Sequence, residues 1–161
     1  MLAEVAVNVA VRFATSKDVP VILSLIKELA EYEKLSAEVV ATQNALEKTL
    51  FGPKSYAEVI LAEEDGDAIG FCLFFHNYST FLGKPGLYIE DIFVKPAHRG
   101  KGIGKALFME MSRLAAERDC GRIEWWVLDW NKPAIDFYAN LGAKPMDEWT
   151  VYRLTEDKFK R

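Results

Sequence analysis

The stretch Lys95-Pro96-Ala97-His98-Arg99-Gly100-Lys101-Gly102-Ile103-Gly104-Lys105 holds three glycines and four Lys or Arg residues, with no acid among its eleven positions. It lies between an apolar, strand-like run, LYIEDIFV (87–94), and a segment in which Ile103, Leu107, Met111 and Leu114 recur at helical spacing. Glycines at such a junction let the backbone approach a ligand closely, and the unpaired amides of a helix N-terminus attract phosphate. Spacing excludes two well-known phosphate loops. A Walker loop needs glycine where Arg99 stands and Ser or Thr where Ala106 stands. A dinucleotide-binding loop needs glycine at the position of Lys105. What remains is an R-x-x-G-x-G loop between strand and helix, and with it an α/β fold.

Reading outward from this loop, Val5, Val7, Val9, Val11 and Phe13 alternate as in a half-buried strand. Thr15 and Asp18 form a capping-box pattern, and Val19, Ile22, Ile26 and Leu29 share a helix face, which predicts a helix over 16–34. A shorter helix over 42–51 stops near Gly52-Pro53. Two strands, 55–64 and 68–78, flank a turn at Asp65-Gly66-Asp67, and a strand over 87–94 follows the loop Gly83-Lys84-Pro85-Gly86. The helix from Ile103 stops at Cys120-Gly121, and 122–128 reads as a strand. Asn131 caps a helix that takes Pro133 in its first turn and ends at Gly142. Residues 149–154 read as a last strand. The order is β-α-α-β-β-β-α-β-α-β, a mixed α/β layer structure in one domain over 1–161.

Composition agrees with a folded domain: of 161 residues, 50% are hydrophobic and 27% charged. A chain of this length buries enough surface to need neither disulfides nor a structural metal, and Cys72 and Cys120 read as inert thiols of a reducing cytoplasm. The net charge of −4 argues against a nucleic-acid partner. The basic loop and the separate cluster of Glu28, Glu31, Glu33 and Glu38 instead suit an anion at one place and a cation at another. No apolar run approaches the ~18 residues of a membrane span, the N-terminal segment with Glu4 lacks the marks of a signal peptide, and Asn77-Tyr78-Ser79 fits a glycosylation pattern only formally. Neither His76 nor His98 has a partner at metal-ligand or triad spacing, so no metal is expected.

In LYIEDIFV, strict alternation puts Glu90 with Tyr88, Ile92 and Val94 on one face, and Asp91 with Leu87, Ile89 and Phe93 on the other. A carboxylate among apolar side chains has a raised pKa, which suits proton transfer or the holding of a cation. Either face would carry one such group.

LIKELAEYEKL (25–35), LYIEDIFV, RGKGIG (99–104) and VLDWNKPAIDFYANLGA (127–143) together resemble the diamine and polyamine N-acetyltransferase family of the GCN5-related superfamily, including its thialysine-acetylating branch. The similarity spans nearly the whole chain. It implies the GNAT fold and acetyl transfer from acetyl-CoA to the primary amine of a small cationic acceptor by direct attack. It also implies a cytoplasmic homodimer. LAEYEKLS and VLDWN lean toward thialysine- or lysine-like acceptors, and Phe81-Leu82-Gly83 departs from the tryptophan-containing pattern of polyamine-acetylating members.

Residue by residue, the resemblance implies that Glu90 lies near the acceptor amine and removes its proton directly or through water, with Asp91 as second choice. Tyr138 would protonate the leaving thiolate. Ile92, Phe93 and Val94 would offer backbone groups to the pantetheine arm, and Gly100, Lys101, Gly102, Ile103, Gly104 and Lys105 would hold the pyrophosphate with Arg99 as a phosphate partner. Asn131, Lys132, Pro133 and Ala134 would touch the CoA tail. Tyr32, Glu33, Glu124, Trp125 and Trp126 would line the acceptor site. A non-catalytic acyl-CoA-sensing module and a protein lysine or N-terminal acetyltransferase are the competing readings.

Overall fold

The computed structural model describes residues 8–160. The part of the first expected strand at 5–7 lies outside them. The chain forms two compact units that divide after Trp126.

The first unit is built on a five-stranded sheet in the order β1-β2-β3-β4-β5. β1 (Val9–Phe13), β2 (Glu58–Glu64), β3 (Asp67–Ser79) and β4 (Lys84–Val94) pair antiparallel. β5 (Ile123–Trp125), shorter than the predicted 122–128, pairs parallel to β4. The β2–β3 turn needs only Asp65 and Gly66, both at positive φ (53° and 86°), which matches the right-handed twist of a two-residue hairpin.

Helices α1 (Val19–Tyr32) and α2 (Gln43–Leu50) lie before β2 in the chain, and α3 (Ile103–Glu117) joins β4 to β5. A turn of 3-10 helix over Ser16–Asp18 precedes α1, and the Asp18 carboxylate accepts the Thr15 amide at 2.7 Å, as the capping-box pattern predicts. Asp18 also pairs with Arg12 of β1, which holds its carboxyl down at about 2, and Arg12 reaches Glu63 of β2 in turn. α1 stops two residues before the predicted end because Lys34 is left-handed (φ 61°) and the Leu35 amide closes on the Ala30 carbonyl at 2.8 Å.

Cross-strand pairs assign the two faces of the sheet. Val59 stands opposite Leu73, Leu61 opposite Phe71, and Phe71 opposite Phe93; this face packs on Ile22 and Leu25 of α1 and Leu50 of α2. The other face carries Ile60, Cys72, Phe74 and Ile89, all buried. Trp125 meets Phe108 of α3 there, ring centroids 5.0 Å apart. Each enclosed Leu, Ile or Phe contributes about 1.5–3 kcal/mol of transfer free energy.

In the second unit, α4 (Lys132–Asn140) begins at Asn131, whose side-chain oxygen accepts the Ala134 amide at 3.4 Å. It ends with Gly142 at φ 87° and the Ala143 amide on the Tyr138 carbonyl. The expected strand over 149–154 does not form: that segment has no regular structure, and a short helix α5 (Glu156–Phe159) follows it. A strand exists only when another pairs with its backbone, and the second unit contains no other strand among its described residues.

Candidate active site

The site is organised by an irregularity in β4. Asp91 stands opposite Leu73 while Ile89 stands opposite Phe74, so Glu90 is an extra residue with no β3 partner, a β-bulge. The bulge overturns the simple alternation. Phe93, Asp91, Tyr88 and Gly86 share the α1 face with Phe71, Leu73, Phe75 and Asn77, whereas Ile92, Ile89 and Leu87 share the α3 face with Cys72, Phe74 and His76. Asp91 is therefore grouped with Tyr88 and parted from Leu87 and Ile89.

The two adjacent acids consequently differ. Glu90 is exposed at the bulge, and Asp91 is the more covered of the two, half-buried. Burial pushes the Asp91 carboxyl up to about 7, with the charges of Glu90 and Glu33 adding to the shift. Glu33, just past the end of α1, is also raised by burial. Behind Asp91, on the α3 face, burial and then the Asp91 charge push the Cys72 thiol far above its ordinary range. Tyr88 is raised to about 12, by burial first and then by Glu90 and Glu124. Its ring lies 5.1 Å from that of Phe75 and 6.1 Å from that of Trp126.

On β5, Glu124 stands opposite Tyr88, pairs with Arg122 at 2.8 Å and accepts the Asn77 side-chain amide at 3.2 Å. Of the two expected tryptophans, Trp126 joins this face through Tyr88, and Trp125 turns to α3. Tyr88, Asn77 and Arg122 are not among the expected site residues; the signal for Arg122 was its two-residue spacing from Glu124, which puts both on one face of a strand.

β5 pairs with Leu87, Tyr88 and Ile89 of β4 and no further, so Ile92, Phe93 and Val94 lie beyond the end of β5 pairing. The glycine loop follows. Gly100 and Gly102 sit at φ 77° and 82°, in the region that favours glycine, and the space where their side chains would stand is open. α3 starts at Ile103, and its first amides have no acceptor within the helix. Lys101 and Lys105 are exposed beside them.

Three contacts anchor the approach to this loop. Lys95 reaches Glu28 of α1 at 3.6 Å and His98 reaches Glu64 of β2 at 2.9 Å. Arg99 donates from Nε to the Val94 carbonyl at 2.9 Å, with its guanidinium 4.3 Å over the Tyr32 ring and 5.4 Å from that of Phe93. Arg99 thus ties α1 to the start of the loop. In the second unit, Asn131 caps α4, Lys132 pairs with Asp136 at 2.6 Å, and Tyr138 lies beside Phe137, centroids 5.7 Å apart. Among the described residues no cluster of His, Cys, Asp and Glu could hold a metal ion.

Residues 22–143 match the model of the acetyltransferase (GNAT) family. The chain belongs to that family. It is an N-acetyltransferase, and its relatives include amine-acetylating enzymes. It is 37% identical to the thialysine N-epsilon-acetyltransferase of Sus scrofa, over 95% of this chain and 96% of that one. It is 35% identical to the L-ornithine N5-acetyltransferase NATA1 of Arabidopsis thaliana, over 93% of this chain and 86% of the relative. Among solved structures, an integron cassette protein from the mobile metagenome of V. cholerae superposes with a TM-score of 0.78 at 25% identity, covering 93% of this chain and 94% of that one.

Proposed function

We propose that this enzyme transfers the acetyl group of acetyl-CoA to the primary amine of a small cationic acceptor, a diamine, a polyamine or a thialysine- or lysine-like amino acid, by direct attack of the amine on the thioester. The observation that carries the reading is the half-buried Asp91 carboxyl with Glu90 and Glu33 close enough to raise it. An alkylamine with pKa near 10.4 is neutral only about once in 10³ molecules at pH 7, so the site must both hold the ammonium and take its proton. Three acids attract the ammonium. An acid near 7 is matched to the proton transfer, and Asp91 has that value. Glu90, which the resemblance favours, stands beside it at the bulge and relays the proton directly or through water.

The neutral nitrogen forms the new C–N bond and the thioester C–S bond breaks. Tyr138 supplies a proton to the departing thiolate, balanced by the second N–H proton lost as the amide forms. The donor chain fits this protein: Gly100 to Lys105 present helix amides and two lysines to its diphosphate, and Ile92, Phe93 and Val94 offer backbone groups to the pantetheine arm. Asn131, Lys132, Pro133 and Ala134 take the CoA tail, and Arg99, stacked on Tyr32, is a phosphate partner at the start of the loop. Tyr32, Glu33, Glu124 and Trp126 line the acceptor side. The proposal includes a cytoplasmic homodimer, on family resemblance alone.

The test is release of CoA thiol by the purified protein with spermidine, putrescine, thialysine and lysine, with the acetylated product identified by mass. Turnover with at least one amine is expected. Heat of CoA binding without turnover on any of the four would overturn the proposal in favour of a non-catalytic sensor.

A further inference from the structure

Next to Asp91, the α1 face carries a second polar group of opposite character. Arg122, just before β5, and Glu124 within it pair through Nε and Oε1 at 2.8 Å. Asn77 fixes the same carboxylate oxygen from β3 at 3.2 Å. Gly86 makes this possible: a side chain there would start 2.4 Å from the Asn77 Oδ1 and 3.2 Å from the Arg122 carbonyl. Among the described residues, the Glu124 Oε2 and both Nη groups of Arg122 are left without a hydrogen-bond partner. One carboxylate oxygen and one forked pair of cationic donors therefore stand side by side and unused. That combination is complementary to an ammonium and a carboxylate on the same carbon.

The placement suits a lysine-like chain. Glu124 is level with Tyr88, and Tyr88 lies three residues from Asp91 on the same face. At about 3.3 Å per residue, with the bulge shortening the path, this separates the two polar groups by up to about 10 Å. The rings of Phe75, Tyr88 and Trp126 lie between and beside them, an apolar wall for methylene or thioether groups.

We infer that Arg122 and Glu124 form a clamp for the α-carbon end of an amino-acid acceptor, Arg122 taking its carboxylate and Glu124 its α-ammonium, and that Arg122 thereby sets the preference for amino acids over diamines. A diamine would bring a second cation towards Arg122 with no carboxylate to meet it. The inference rests on amine acetylation beside Asp91, as proposed above.

The experiment compares kcat/KM for thialysine and for bis(2-aminoethyl) sulfide, which has the same chain without the carboxylate, in the wild type, Arg122→Gln and Arg122→Lys. The wild type is expected to prefer thialysine. Arg122→Gln should lower the thialysine-to-diamine ratio about 10- to 100-fold, through the thialysine KM, as expected for loss of a charge-assisted contact. Arg122→Lys should restore part of the ratio. A ratio unmoved by Arg122→Gln, or a wild type that acetylates the diamine and ignores thialysine, overturns the clamp and leaves acetyl transfer standing. A wild type that acetylates neither amine sinks both.

Discussion

The two faces of the sheet share the strand β4 and differ in what they enclose. Towards α3, Cys72, Phe74, Leu87 and Ile89 are fully buried and the face is closed by apolar packing. Towards α1, the same packing holds around Phe71 and Phe93, then gives way to Asp91, Tyr88, Glu124, Arg122 and Asn77. A regular strand would carry one pattern along each face. The bulge at Glu90 shifts the phase midway, so the two faces of β4 change character at different points. The difference teaches that one strand can close a core on one side and hold a half-buried acid on the other.

The sharpest way to break this contrast is Asp91→Asn. If Asp91 takes the acceptor's proton, kcat/KM should fall on the order of 10²–10⁴-fold, and the rise of wild-type kcat/KM through about pH 7 should disappear from the pH profile. A variant that keeps that limb would return the role to Glu90. On the opposite face, Phe74→Ala should cost about 3–5 kcal/mol in urea unfolding, as emptying a closed core does. A loss below 1 kcal/mol would mean the α3 face is less tightly packed than the buried residues indicate.

The smallest effect concerns stability at Asp91 itself. A carboxyl raised to about 7 in the folded protein holds its proton more tightly than in the unfolded chain, where its pKa is near 3.9, so stability falls as pH rises from 4 through 7. Asp91→Asn should therefore stabilise the protein at pH 8, by the order of 2–4 kcal/mol, and lose that advantage near pH 4. Equal unfolding midpoints for the two proteins at pH 8 would contradict the burial of the acid.

Much of this architecture was legible in the residue pattern. Asp65-Gly66 specified the hairpin, Asn131 and Pro133 the start of α4, and the glycines at 100 and 102 the turn into α3, because each depends on local backbone chemistry. The bulge was not legible, since it arises from how β4 pairs with β3, and a period-two reading treats LYIEDIFV as uniform. That is why the pattern gave each face one carboxylate and left the choice between Glu90 and Asp91 to the family resemblance. The strand expected at 149–154 failed for a related reason: a run of β-favouring residues describes a readiness to pair and says nothing of a partner. Trp125 and Trp126 were parted by register alone, one to α3 and one to Tyr88.

The seclusion of Cys72 beneath Asp91 has a practical corollary. Its thiol is completely shielded and strongly resistant to ionisation, whereas Cys120 is only partly covered. Alkylating reagents in native buffer will therefore label Cys120 first, and modification of Cys72 becomes a clock for the opening of the sheet, readable by mass on the unaltered sequence.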